Sequence, residues 1–291
     1  MNKYLNDKNN LIIRLKNKKL YNLSEKIIIF DTYCGLCNQI WDINYGINFC
    51  LTNNIKFTFR YSTFRNADEC SWYNVNFDEI FDRSFLTQFD LYVDYNSLNI
   101  NSSNTHNYDS KIITNNILYY NLINNKCYIH EPYIVLRGIG VLMLTNNINI
   151  VKHLYSEILP SKHIMNIYTN ISNELKLNNN EYNFLHYRYE SDFIKYFKIN
   201  TESLENILNN IKFKNNNNKI YIASTNIKNL VKNINTNNLL YKNESELTNL
   251  NYEQRAFIDF MIGKNSAEIY GHSKSSFSQV LNILKNTNNY Y

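Results

Sequence analysis

The stretch Ile28-Ile29-Phe30-Asp31-Thr32-Tyr33-Cys34-Gly35-Leu36-Cys37-Asn38-Gln39 supports two incompatible readings. Its Cys-x-x-Cys, set just after an apolar run, suits a thiol–disulfide redox pair activated at a helix N-terminus. Its Gly-Leu-x-Asn-Gln, in the same place, suits a ligand-binding loop between a strand and a helix. Both readings share one local structure. Ile27–Phe30 is a short apolar run between polar residues, as in a buried parallel strand. Residues 38–53 carry Ile40, Ile43, Ile47, Cys50 and Leu51 at helical spacing, and Lys56–Arg60 alternates as a second strand. Strand, loop, helix and strand make a βαβ unit. Its Gly-containing loop falls at the carboxyl end of the first strand, where open α/β sheets bind ligands.

Further along, residues 88–130 are polar and irregular, and residues 146–178 suggest one or two helices around Pro160. Alternation then resumes. Strands are expected at Tyr182–Tyr187, Ile220–Ala223, Leu239–Tyr241 and 267–270. Helices are expected at Ser203–Ile211, near 226–234, at 251–263 and at 275–286. This is a second Rossmann-like half. The expected organisation is a basic N-terminal arm (1–26), a Rossmann-like domain (27–175) and a second Rossmann-like domain (176–291).

Composition narrows the class. The 291 residues are ample for a hydrophobic core, and 44% hydrophobic with 15% aromatic residues excludes a disordered chain. Asn, Ile, Lys, Tyr and Phe are heavily used while Gly totals 6 and Pro 2, the mark of an AT-biased genome. The Asn clusters at 178–180 and 215–218 then read as surface loops. The net charge of +5 is spread along the chain apart from Lys3, Lys8, Arg14, Lys16, Lys18 and Lys19. A solvated arm accounts for these, and no nucleic-acid-binding signature accompanies them. The first 26 residues lack a continuous apolar core of a signal peptide. The longest apolar run, Ile134–Leu144, is too short to span a bilayer and contains Arg137. Five cysteines, an odd number, do not form a secreted disulfide framework. A cytoplasmic protein of a reducing compartment is expected.

Two later segments bear chemistry. In Leu185-His186-Tyr187-Arg188-Tyr189-Glu190-Ser191-Asp192, strand alternation would put His186, Arg188 and Glu190 on one face. A fixed guanidinium there can grip a diphosphate in a bidentate pair, or simply pair with Glu190 or Asp192. Gly271-His272-Ser273-Lys274-Ser275-Ser276-Phe277-Ser278 follows an apolar run and opens a helix. Hydroxyls and free N–H groups there make an anion site, or an ordinary N-cap. No second Cys-x-x-Cys, paired His, HExxH, GxSxG or Asp-x-Asp is present, so no metal site is expected.

Taken in order, these segments resemble the GDP-fucose O-fucosyltransferase superfamily, particularly its plant-type and protein O-fucosyltransferase branches. Cys34–Gln39 matches the Gly-Gly-Leu-x-Asn/Gln-Gln loop, and Phe77-Asp78-Glu79-Ile80-Phe81-Asp82 matches an aromatic Phe-x-x-Ile-Phe-Asp segment. His186, Arg188, Glu190 and Asp192 match His-x-Arg-x-Glu-x-Asp. Gly271 and Ser275–Ser278 match a Gly–loop with Ser-Ser-Phe-Ser, and Leu159-Pro160-Ser161 has a counterpart too. The resemblance covers residues 27–286.

It implies a GT-B-like α/β fold, with two Rossmann-like domains facing across a cleft, and an inverting glycosyl transfer that needs neither metal nor cofactor. It implies a nucleotide-sugar donor, GDP-fucose foremost, and a hydroxyl on a protein or glycan acceptor. Arg188 would contact the diphosphate leaving group, and Asn38 would lie by the sugar–phosphate; these two would be the catalytic residues. Gly35, Leu36, His186, Ser275, Ser276 and Phe277 would complete the donor site. A carboxylate acid/base would come from Glu190 or Asp192, with Asp31 and Asp42 as further candidates.

The departures are specific. Cys34 and Cys37 stand where many relatives carry Gly or another small residue, and Gly35 stands where the animal branch carries Arg. Ala267 and Glu268 replace an Asp that reads guanine, which opens the donor to UDP-rhamnose, used by a related plant branch. The alternatives are a thioredoxin-related Cys-x-x-Cys redox protein and a catalytically inactive sugar-nucleotide-binding relative. The redox reading explains both cysteines but neither Arg188 nor Ser275–Ser278.

Overall fold

Each apolar run that the spacing marks as a strand pairs in parallel with its neighbours, and two four-stranded sheets result. The computed structural model describes residues 25–66, 71–101, 103–108, 132–138, 154–198, 202–214, 219–232, 234 and 237–291. Residues 1–24 of the expected basic arm lie outside these. So do residues 109–131 of the irregular section and 139–153 at the start of the expected helical stretch.

In chain order the elements are β1 (Ile27–Asp31), α1 (Leu36–Asn53), β2 (Lys56–Phe59), β3 (Tyr61–Asn66), β4 (Ser71–Asn76), β5 (Thr105–Tyr108) and β6 (Tyr133–Arg137). They continue with α2 (Lys162–Glu174), β7 (Asn183–His186), α3 (Ser191–Phe197), α4 (Leu204–Asn210) and β8 (Ile220–Ala223). The last are α5 (Ile227–Leu230), β9 (Leu239–Leu240), α6 (Tyr252–Asn265), β10 (Ile269–Gly271) and α7 (Ser276–Lys285). Strand β6 lies in a run noted from the sequence only as apolar, and the β3–β4 pair was not foreseen.

The chain divides into two compact units. One comprises Met1–Tyr33, Trp41–Tyr61 and Leu86–Asn146, and its sheet has the order β2-β1-β6-β5, every pairing parallel. Ile28, Ile29 and Phe30 of β1 are buried, as a central strand requires. At its carboxyl end Asp31 receives both Nε (3.0 Å) and Nη2 (2.6 Å) of Arg60, and Asp42 accepts the Tyr33 N–H at 2.8 Å.

The other unit comprises Cys34–Ile40, Ser62–Phe85 and Asn147–Tyr291. Its sheet has the order β10-β7-β8-β9, again all parallel. One face buries Leu185, Tyr187 and Ile222 against Leu204, Ile207, Ile227 and Val231. On the other face Phe184 stacks with Tyr221 (5.8 Å) and Phe277 (6.4 Å), and Phe277 meets Phe260 at 5.9 Å. The chain passes from β7 outward to β8 and β9, then returns to place β10 on the far side of β7. That reversal opens a crevice at the carboxyl ends of β7 and β10.

The Phe77–Asp82 segment is a core anchor of this second unit. Phe77 stacks on Phe81 (4.9 Å), Phe81 meets Phe257 (5.5 Å), and the Ser161 N–H donates to the Ile80 carbonyl at 2.8 Å. Helix α2, which starts at this junction, packs on α6. Residues 154–175, assigned by the sequence reading to the N-terminal domain, therefore cluster with the C-terminal half. Among the described residues no helix is long and apolar enough to cross a membrane.

Glu253, in the first turn of α6, ties β3 to this helix. Its Oε2 accepts the Arg65 N–H at 2.7 Å, and the residue is 0% exposed. Burial raises its carboxyl from 4.5 to about 7, against the opposing pull of the Arg65 backbone and charge. A carboxyl raised in the folded state stabilises fully below its unfolded value, and that stability is lost as pH rises through the folded value. Stability should therefore fall by roughly 3 kcal/mol between about pH 4.5 and 7 from this group, at 1.36 kcal/mol per unit. Glu253→Gln should flatten that slope in urea titrations across pH; a slope identical to the parent's would refute the assignment.

Candidate functional site

Strand β7 ends at His186, so the alternation expected through Glu190 stops there. His186 points to the face that carries α7, where Nδ1 lies 2.8 Å from the Ser278 hydroxyl and the ring lies 4.4 Å from Phe277. Burial, then the charges of Arg188, His272 and Lys242, lower its pKa well below the usual histidine value. The imidazole is held neutral and joins β7 to α7.

Arg188 sits just beyond the strand, in the crevice mouth. Its backbone N–H donates to the Tyr291 hydroxyl (3.0 Å), which in turn donates to the His186 carbonyl (2.9 Å). Its guanidinium lies 4.7 Å over the Phe193 ring, and Nε donates to Glu190 Oε2 at 3.2 Å. Glu190 also accepts the Tyr252 hydroxyl at 2.9 Å on Oε1. Asp192 lies in the first turn of α3; its side chain is outside the described residues.

Across the crevice, β10 runs beside β7 with Gly271 opposite His186. A Cβ on Gly271 would stand 2.7 Å from the Ser278 Cβ and closer still to its hydroxyl. The bare backbone lets α7 begin directly at the strand's end. Ser275 occupies the N-cap position without a side-chain cap, and its hydroxyl, 1% exposed as a residue, has no hydrogen-bond partner among the described residues. Unpaired N–H groups at a helix start favour anions in general. Ser276 is half-buried at the first helical position, whereas Phe277 packs into the core. Facing this start, His272 meets Phe193 edge-on at 5.0 Å and Tyr291 at 5.7 Å. Burial, with the charges of Lys274 and Arg188, lowers the pKa of His272 too.

The loop Cys34–Ile40 belongs to this same unit, not to the N-terminal one from which the sequence reading expected Asn38 to face the site. Gln39 is the reason. Its Nε2 donates to the Cys34 and Thr63 carbonyls, both at 2.8 Å, and its Oε1 accepts the Thr63 N–H at 3.1 Å. Cys34 adopts φ 72, the left-handed region that favours Gly. Burial pushes the Cys37 thiol up while the Arg188 charge pulls it down, so the loop lies in the field of Arg188. Leu36 is buried, Gly35 faces open space, and the Asn38 side chain is half-buried with no hydrogen bond among the described residues.

The structure thus brings Arg188, Glu190, His186, Ser275, Ser276 and the Cys34–Gln39 loop into one unit. It directs His186 and Phe277 inward as supports. Sequence reasoning missed Tyr252, Tyr291, Phe193 and Arg65, because lone aromatic and basic residues carry no motif.

No protein-family model and no curated protein matches the sequence. Solved structures do. The chain is similar to POFUT1 in complex with GDP, at 9% identity and a TM-score of 0.60 over 92% of this chain and 99% of that one. It is similar to the NodZ alpha-1,6-fucosyltransferase co-crystallized with GDP (11%, TM-score 0.53, 89% and 92%), an enzyme of Bradyrhizobium. It is also similar to Arabidopsis thaliana FUT1 in complex with GDP (10%, TM-score 0.55, 95% and 72%). The fold is therefore that of the GT-B-type fucosyltransferases, an α/β fold with parallel sheets.

Two substitutions test the backbone constraints. Gly271→Ala forces a side chain into Ser278 and should cost about 1–3 kcal/mol of stability. Cys34→Gly relieves a strained left-handed residue and should be neutral or stabilising by up to about 1 kcal/mol. Urea unfolding of both variants decides; a stable Gly271→Ala or a clearly destabilised Cys34→Gly contradicts the geometry.

Proposed function

We propose that this chain is a glycosyltransferase that moves a sugar, most simply fucose from GDP-fucose, onto a hydroxyl of a protein or glycan. The observation that carries the reading is that Arg188 follows β7 and α7 follows β10, two adjacent parallel strands at the strand-order reversal. A guanidinium gripped at Nε and a buried, unpartnered Ser275 hydroxyl form a receptor for a diphosphate. Solved structures of similar fold were determined with GDP or soaked with GDP-fucose, which supports the same donor class.

In this mechanism the acceptor oxygen attacks the anomeric carbon as the bond from that carbon to the diphosphate oxygen breaks. The electron pair leaves with the diphosphate, the acceptor proton passes to a base, and the anomeric centre inverts. Arg188 and the helix start meet the charge that develops on the leaving group, a role that preorganised donors fill without a metal. Asn38 and the Gly35–Leu36 backbone flank the sugar–phosphate from the loop. The redox alternative accounts for neither Arg188 nor Ser275–Ser278.

The test is a thermal-shift and turnover screen against GDP, UDP, GDP-fucose and UDP-rhamnose. A donor nucleotide at 100 times its Kd should add about 2.7 kcal/mol of stability. Arg188→Ala should lower turnover roughly a hundred- to thousandfold, the cost of one preorganised donor. Activity should persist in excess EDTA, since Asp-x-Asp is absent from the sequence. Reductase activity in the parent that vanishes on Cys34→Ser would move the assignment to the redox class.

A further inference from the structure

We propose that Tyr252 is a positioning residue that acts through Glu190 to decide which edge of Arg188 meets the donor diphosphate. The inference rests on the nucleotide-sugar reading above and specifies how its anion subsite is built. Tyr252 opens α6, and its hydroxyl donates to Glu190 Oε1 at 2.9 Å while Glu190 Oε2 accepts Arg188 Nε at 3.2 Å. Each carboxylate oxygen has a donor, and the guanidinium is held by its Nε edge. The two Nη nitrogens, which bond nothing among the described residues, form the fork that remains. That fork matches two phosphate oxygens.

The hold is supported from every side. Phe193 lies under the guanidinium at 4.7 Å, and Tyr291 fixes the Arg188 backbone at 3.0 Å. Tyr252 is itself fixed, with the Arg65 guanidinium 3.8 Å over its ring. Arg65 is bound in turn through its backbone to Glu253, the residue next to Tyr252. Burial and the Glu190 charge raise the Tyr252 phenol above its ordinary value, so it stays a donor at working pH. Both oxygens of Glu190 are already engaged, one by Arg188 and one by Tyr252. Glu190 orients; it does not abstract.

Tyr252→Phe keeps the ring and its contact with Arg65 and removes the hydroxyl alone. In the full chain, GDP affinity and kcat should each fall about tenfold, the usual worth of a hydrogen bond to a charged group. Without ligand, the Arg188 Nε–H resonance, assigned by its absence in Arg188→Lys, should shift in Tyr252→Phe. Glu190→Gln should lose GDP affinity and turnover in parallel and keep the acidic limb of the pH–rate profile. Unchanged GDP affinity and an unshifted resonance in Tyr252→Phe would overturn the proposal. So would a Glu190→Gln variant that binds GDP like the parent but loses turnover and the acidic limb, because that is a general base. If the parent binds neither GDP nor UDP, the nucleotide-sugar reading fails, and the resonance alone decides the positioning.

Discussion

At Gly271 the backbone of β10 runs so close to α7 that an added Cβ would stand 2.7 Å from the Ser278 Cβ, well inside contact distance. That approach lets His186 reach the Ser278 hydroxyl from the neighbouring strand, and it sets the start of α7 at the mouth of the crevice. The aromatic layer follows from the same contact. Phe277 can fill the space between His186, Phe184 and Phe260 only if its helix begins at this depth. A longer side chain at 271 would push the helix start outward.

The polar groups around this contact are arranged in chains. Tyr291 links the His186 carbonyl to the Arg188 amide, and Tyr252 links Arg65 to Glu190. Under the sheet Tyr221 donates to Asp259 at 2.8 Å, and Asp259 pairs with the buried Lys242, which also meets Glu244 at 3.5 Å. Buried charges are tolerable where every partner is supplied. The Ser275 hydroxyl is buried without a partner among the described residues.

The cysteines of the opening motif have physical explanations that involve no redox step. Cys34 stands in a left-handed turn, where its carbonyl receives Gln39 at 2.8 Å and Thr63 at 3.2 Å. Cys37 is buried in the first turn of α1, and its thiol is pushed toward the protonated form. The loop is a structural clasp in which Gly35 and Asn38 are half-buried. Gln39, present in the sequence pattern without a stated role, is the residue that closes it.

The sequence by itself determined the local elements and the order of the motifs. Ile27–Asp31, Ile220–Ala223 and Ser276–Lys285 are legible because apolar periodicity and flanking Gly or Ser encode them within a few residues. Arg188, Ser275 and the Cys34–Gln39 loop stand out in the sequence because each belongs to a short contiguous pattern. Which unit each segment joins was not legible. The loop clusters with the second unit through Gln39 and Thr63, and residues 154–175 join it through Phe81 and Pro160, contacts between residues far apart in the chain. The inward turn of His186 and Phe277, and the grip of Tyr252 and Tyr291 on Arg188, were likewise decided by packing. A side chain's direction beyond the end of a strand is set by what surrounds it, and periodicity carries no information about that.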